Sequence, residues 1–169
     1  MDRRHAIAAE VPRLRRYARA LVRDATEADD LVHDCVVRAL SRLSSWREDV
    51  SPRRWLFTIL HNLHVDRLRA RARRPMHFPL EDVPVAAAGT YRPSEDATLG
   101  EIDRALQALP EEQRQCVLLV GLEGLTYGET AEVLGTPVGT VMSRLARGRE
   151  RLRQLLDRGG ERPTLRRVK

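Results

Sequence analysis

The chain has 169 residues, 42% of them hydrophobic, which is enough for one ordinary domain or two small ones with packed cores. No apolar run approaches a membrane span, and the start, MDRRHAIAAE, lacks the apolar stretch of a signal peptide, so a cytoplasmic protein without membrane insertion is expected. The net charge of +6 is unevenly placed: +1 over 1–50, +6 over 51–75, −6 over 76–125 and +5 over 126–169. Two basic zones, almost wholly arginine, flank an acidic middle, and clustered arginine attracts phosphate.

Ile7, Val11, Leu14, Ala18 and Leu21 recur at helical spacing and predict a first helix. Thr26 with Asp29 reads as a capping box opening a second. Its apolar face is Ala28, Leu31, Val32, Cys35, Ala39, Leu40 and Leu43. Residues 44–50 read as a loop. Ser51-Pro52 then supplies an N-cap and a first-turn proline. The third helix carries Trp55, Leu56, Ile59, Leu60 and Leu63 and runs into RLRARARR before Pro75. Trp55 and Phe57 read as core; Trp46, in the loop, suits core anchoring and base contact equally.

Four prolines, an alanine triplet and Gly89 make 75–93 a flexible linker, able to span about 60 Å if extended. Ser94 opens a second unit with Leu99, Ile102, Leu106 and Leu109 on one helix and Val117, Leu118 and Val120 on the next, after Pro110. Thr126-x-x-Glu129 is a further capping box, and its short helix stops at Gly135. Thr136-Pro137 starts a long final helix to about Leu156, and the tail from 159 is polar. The expected architecture is all-α: two small helical domains, 1–74 and 94–158, joined by the linker. Cys35 and Cys116 sit inside apolar patterns and read as core residues.

The pair of helices about Gly135 has the form of a helix-turn-helix, whose second helix presents side chains to base edges. Ala131, Val133, Leu134, Val138, Val141 and Leu145 pack the pair together, leaving Thr140, Ser143, Arg144 and Arg147 outward. Gly139 and Thr140 occupy the first turn, where free N–H groups favour phosphate. His61, His64 and Asp66 share a helix, but their spacing does not place all three on one face, so no metal site or other cofactor is expected.

Together EADDLVHDCVVRAL (27–40), SPRRWLFTILHNLHVDRLRARARR (51–74), the proline-rich middle and the stretch from ALPEEQRQC to the last helix resemble the extracytoplasmic function group of sigma factors, within the sigma-70 family. The resemblance spans nearly the whole chain. It implies no catalysis: such a factor binds core RNA polymerase, places it at a promoter and helps open the DNA. It implies that Asp30, Leu31, His33 and Asp34 dock on core polymerase. It implies that Trp46, Arg54, Thr58, Asn62, Arg67, Arg69, Arg71 and Arg73 read or hold the −10 element as opened strand, and that Gly139, Thr140, Ser143, Arg144 and Arg147 read the −35 duplex. Met142 departs from the polar residue many relatives carry there, and suits a thymine methyl rather than guanine. An anti-sigma factor is the further partner expected by the resemblance. A stand-alone helix-turn-helix regulator is the alternative, resting on the C-terminal half alone. The acidic-to-basic contrast along the chain is expected to separate polymerase-facing from DNA-facing surface.

Overall fold

The computed structural model describes residues 2–73 and 95–159, the latter with backbone alone at 95–98 and 158–159. The expected linker and most of the polar tail lie outside the described residues. Every regular element described is helical: α1 (Arg3–Leu21), α2 (Ala25–Ser41), a 3-10 turn (Leu43–Ser45), α3 (Pro52–Arg73), α4 (Glu95–Gln107), α5 (Glu111–Val117), α6 (Tyr127–Leu134) and α7 (Val138–Gly159). None is long and apolar enough to cross a membrane.

The helix starts follow local chemistry. Ser51 Oγ accepts from the Arg54 amide at 3.2 Å, and α3 begins at Pro52, where a missing N–H costs nothing. Both arms of the Thr126–Glu129 capping box form, at 3.1 and 2.9 Å. Gly135 ends α6 at φ 62°, a left-handed cap that favours glycine. One start differs from expectation. The cap of α2 is Asp24, whose carboxylate accepts from the Glu27 amide at 2.8 Å, and Thr26 lies inside the helix. An aspartate two residues earlier satisfies the first-turn amides and adds a favourable charge at the dipole's positive end.

In the N-terminal three helices Leu14, Tyr17, Leu21, Ala28, Leu31, Cys35, Leu56, Phe57 and Leu60 are buried, with Tyr17 and Phe57 meeting edge to face at 5.1 Å. In the C-terminal helices Cys116, Leu118, Leu119, Ala131, Val133, Leu134, Val141 and Leu145 are buried. Both cysteines are reduced and buried, and burial pushes the Cys35 thiol up to about 12. The contact of α5 with α7 runs through Gly148, where an added Cβ would stand 2.8 Å from Val117 Cγ2.

The two helical groups are in contact. Their buried apolar residues form one continuous cluster, with α3 packed on α6 and α1 on the segment after α5. That segment, Leu118–Leu122, is a wide π-type turn, with the Glu123 amide donating to the Leu118 carbonyl at 3.0 Å. It delivers Glu123 inward to α1.

Candidate nucleic-acid and polymerase interface

On α2 two stripes oppose each other. Ala28, Leu31, Val32, Cys35 and Ala39 face the core, while Asp30, His33, Asp34, Val37 and Leu40 face outward. Two expectations change as a result. Leu31 is fully buried, so it positions the helix rather than offering a docking surface. Leu40, read as core, is 42% exposed beside Val37 at 52%. Val37 lies off the expected apolar face and Leu40 on it, so only Val37 carried a sequence signal for this exposed pair.

At the start of α3, Trp46 is half-buried and stacked on Trp55, with ring centroids 5.5 Å apart and planes 11° apart. Its indole N–H donates to the Val50 carbonyl at 2.8 Å, and the Arg3 guanidinium lies 5.8 Å from its ring centroid. Trp46 thus anchors the loop while forming one wall of a cleft of about 390 Å³ with Arg3, Ala6, Glu48, Val50, Ser51 and Pro52. Arg3 is a cleft residue that no sequence pattern singles out, because it arrives from a different helix.

Arg54, Thr58 and Asn62 recur every fourth residue and share a stripe of α3. Asn62 is exposed, and the Thr58 hydroxyl donates to the Arg54 carbonyl at 2.9 Å. Arg54 pairs with Glu132 of α6 at 2.7 Å. Further along, Arg67 pairs with Asp34 at 2.6 Å and Arg71 with Glu27 at 2.6 Å, while Arg69 and Arg73 are exposed. The Arg67–Asp34 pair links one expected strand-holding residue to one expected docking residue.

The α7 helix turns Val141, Leu145 and Gly148 inward. Gly139, Met142 and Arg147 are exposed, with Met142 at 51%. Thr140, Ser143 and Arg144 are half-buried. The Ser143 hydroxyl donates to the Thr140 carbonyl at 3.0 Å, and Arg144 pairs with Glu112 of α5 at 3.0 Å. The expected reading set is therefore split between fully outward residues and flanking ones held by their own unit.

His64 is 3% exposed, and its Nε2 meets Glu111 Oε1 of α5 at 2.6 Å. Glu111 also accepts from Arg114 and from Gln115, the latter at 2.8 Å. Burial alone would raise this carboxyl, but the hydrogen bonds and charges of His64 and Arg114 outweigh it and bring it down to about 2. Burial, then the neighbouring His64, lowers the imidazole of His61. Among the described residues no three His, Cys, Asp or Glu side chains gather as metal ligands.

Glu123 has a wholly buried side chain, paired through both oxygens with Arg16 of α1 at 3.0 and 3.1 Å. Arg53 donates to the Glu123 carbonyl at 3.2 Å. Part of the acidic middle thus pairs within the chain. Glu111 and Glu123 are turned onto the chain's own N-terminal helices. Charge runs report sign along the chain but not which partner lies opposite.

Residues 7–61 match the family model described as the Sigma2 domain of PhyR, and residues 99–152 match Sigma-70, region 4. The chain is 39% identical over 157 residues to the ECF RNA polymerase sigma factor EcfG of Rhodopseudomonas palustris, covering 90% of this chain and 84% of that one. It is 42% identical over 144 residues to the ECF RNA polymerase sigma factor SigM of Mycobacterium tuberculosis, covering 85% and 71%. Among solved structures it is similar to the sigma factor RpoE in complex with the anti-sigma factor NepR from Bartonella quintana, with TM-score 0.72, 27% identity and 92% and 96% coverage. It is also similar to CnrH in complex with the cytosolic domain of CnrY, with TM-score 0.67, 28% identity and 90% and 85% coverage.

Proposed function

The chain belongs to the extracytoplasmic function group of RNA polymerase sigma factors, which direct transcription and are not enzymes, and from that premise we propose how its surfaces divide the work. Residues 1–74 bind core polymerase and read the −10 element; 94–158 read the −35 element; 75–93 connect them. The protein works in the cytoplasm, where polymerase and DNA meet.

One outward helix face docks on polymerase and another reads duplex. The α2 stripe of Asp30, His33, Asp34, Val37 and Leu40 combines charge with exposed aliphatic surface, a composition suited to docking on a protein. The exposed part of α7, with Gly139, Met142 and Arg147, is set for a major groove, and Arg144 and Arg147 supply phosphate or guanine contacts. Met142 offers a methyl-sized apolar contact, so a thymine in the −35 element is expected opposite it.

Opened strand is read at the Trp46 cleft and along Arg54, Thr58 and Asn62. A base outside the stack needs a pocket and edge-on hydrogen bonds, and Asn62 supplies both donor and acceptor. Arg67, Arg69, Arg71 and Arg73 hold phosphates as the strand continues. Two of the similar solved structures are complexes, one of them a sigma factor bound to an anti-sigma factor, which supports control of this chain by an anti-sigma factor.

Purified chain added to core polymerase is expected to give discrete transcripts from genomic templates, and mapping their starts defines both elements. A stand-alone regulator would instead shift duplex DNA as well without polymerase as with it. In the reconstituted system, Asn62→Ala is expected to reduce open-complex formation at least tenfold while leaving the affinity for core enzyme unchanged.

A further inference from the structure

The Trp46 cleft is assembled from two distant parts of the chain, and one side chain joins them. Arg3, the first residue of α1, donates from Nη1 to the Leu43 carbonyl at 3.0 Å and from Nη2 to Glu48 Oε1 at 3.2 Å. Its guanidinium also lies 5.8 Å from the Trp46 ring centroid. Among the described residues, the other hydrogen bonds within 43–50 are local. The Trp46 amide donates to the Leu43 carbonyl, the Val50 amide to the Arg47 carbonyl, and the Trp46 indole to the Val50 carbonyl. Arg3 therefore supplies the loop's polar tie to α1.

The two bonds of Arg3 differ in kind. The one to the Leu43 carbonyl is partly buried and joins backbone to side chain. The one to Glu48 joins side chains that are 38% and 89% exposed. An exposed ion pair of that sort is weak and readily exchanged. A guanidinium carries five N–H donors and grips a phosphate in the same two-pronged way as a carboxylate. A nucleotide whose base enters the cleft brings its own phosphates to the rim, where Arg3 attracts them and Glu48 repels them. Arg47, the loop's own arginine, is held by Asp49 at 2.8 Å, so the cation offered at this rim comes from α1.

We propose that Arg3 is a further strand-binding residue: it holds the Trp46 loop on α1 through the Leu43 carbonyl, and it exchanges Glu48 for a backbone phosphate of the opened strand when a base enters the cleft. The proposal rests on the reading of the Trp46 cleft as a strand-reading site. It adds a cation from α1 to the arginines of α3. It also gives Glu48 a role, as the group that occupies Arg3 until the strand displaces it. A phosphate held in this way carries no sequence information, but it fixes where the base enters.

The test uses holoenzyme made from the full chain and core polymerase, with the single-stranded −10 oligonucleotide taken from the mapped transcripts. Arg3→Ala is expected to lower strand affinity about tenfold. It should also reduce the slope of log affinity against log salt by about 0.7, the share of one single-strand phosphate. Arg3→Lys keeps the charge and loses the fork, so it should keep the slope while losing about threefold in affinity. Glu48→Gln should raise affinity about two- to fivefold, and that gain should vanish in the Arg3→Ala background. A loop that was merely loosened would leave the salt slope of Arg3→Ala unaltered, and Glu48→Gln would then act alike in both backgrounds. Either result overturns the proposal. The loop itself is read in the free chain, without DNA. With Trp55→Phe in place, Trp46 is the sole tryptophan, and Arg3→Ala should increase its quenching by acrylamide. Unchanged quenching would also overturn the proposal. Unmodified holoenzyme that binds no −10 strand at all would sink the reading of the cleft as well, whereas normal binding with an unaltered slope in Arg3→Ala counts against Arg3 alone.

Discussion

Glu111 is a carboxylate whose partners come from two different units, and its chemistry sets an acid limit on the molecule. Its folded value of about 2 lies below the ordinary 4.5, so its stabilising contribution is present above pH 4.5 and is lost as the pH falls toward 2. A loss on the order of 2 kcal/mol is expected between pH 5 and pH 2.5 in urea unfolding, and Glu111→Gln should flatten that slope. Arg16→Ala acts on a different carboxylate. It strands the buried Glu123 and should cost about 1–3 kcal/mol at pH 7, measured the same way. The residue types at these sites were visible in the sequence, but their pairing was not. His64 lies 47 positions from Glu111 and Arg16 lies 107 from Glu123, and neither spacing follows a helical period. The turn between α6 and α7 was legible because the capping box and Gly135 fix it locally. Trp46 was legible as a loop residue, whereas Arg3, which joins it from α1, was not.

At the scale of the element, amphipathic spacing located every helix, and caps located most starts. Asp24 displaced Thr26 as the cap of α2 because an acidic side chain two positions earlier reaches the first-turn amide. Leu40 shows where periodicity misleads: it fits the apolar face, yet it stands beside Val37 on the outward stripe. Replacing that pair with Val37→Ser and Leu40→Ser should barely alter stability, since exposed side chains lose little on truncation. It should weaken binding to core polymerase about tenfold or more, as measured by competition with another sigma factor. Gly148 is an element-scale constraint that composition hides. In an isolated helix Gly→Ala adds about 1 kcal/mol of helix stability. Here the new methyl would meet Val117 Cγ2 at 2.8 Å and the Gln113 carbonyl at 3.3 Å. The sign should therefore reverse, with Gly148→Ala lowering stability by about 1 kcal/mol and displacing α7 from α5.

For the whole molecule, the all-α class and the two-unit organisation followed from helical spacing on either side of the proline-rich stretch. The contact between the units did not follow, because it depends on surfaces distant in sequence. Those surfaces mix complementary charge with continuous apolar contact. Promoter selection is expected to reach polymerase through both units of this chain. In vitro transcription with core enzyme and genomic template, mapped at nucleotide resolution, tests it most directly. The expected result is a small set of starts sharing two upstream elements, with Arg147→Ala weakening use of the distal element and Asn62→Ala use of the proximal one. Transcripts that are the same with and without the chain, or starts sharing no upstream elements, would contradict it.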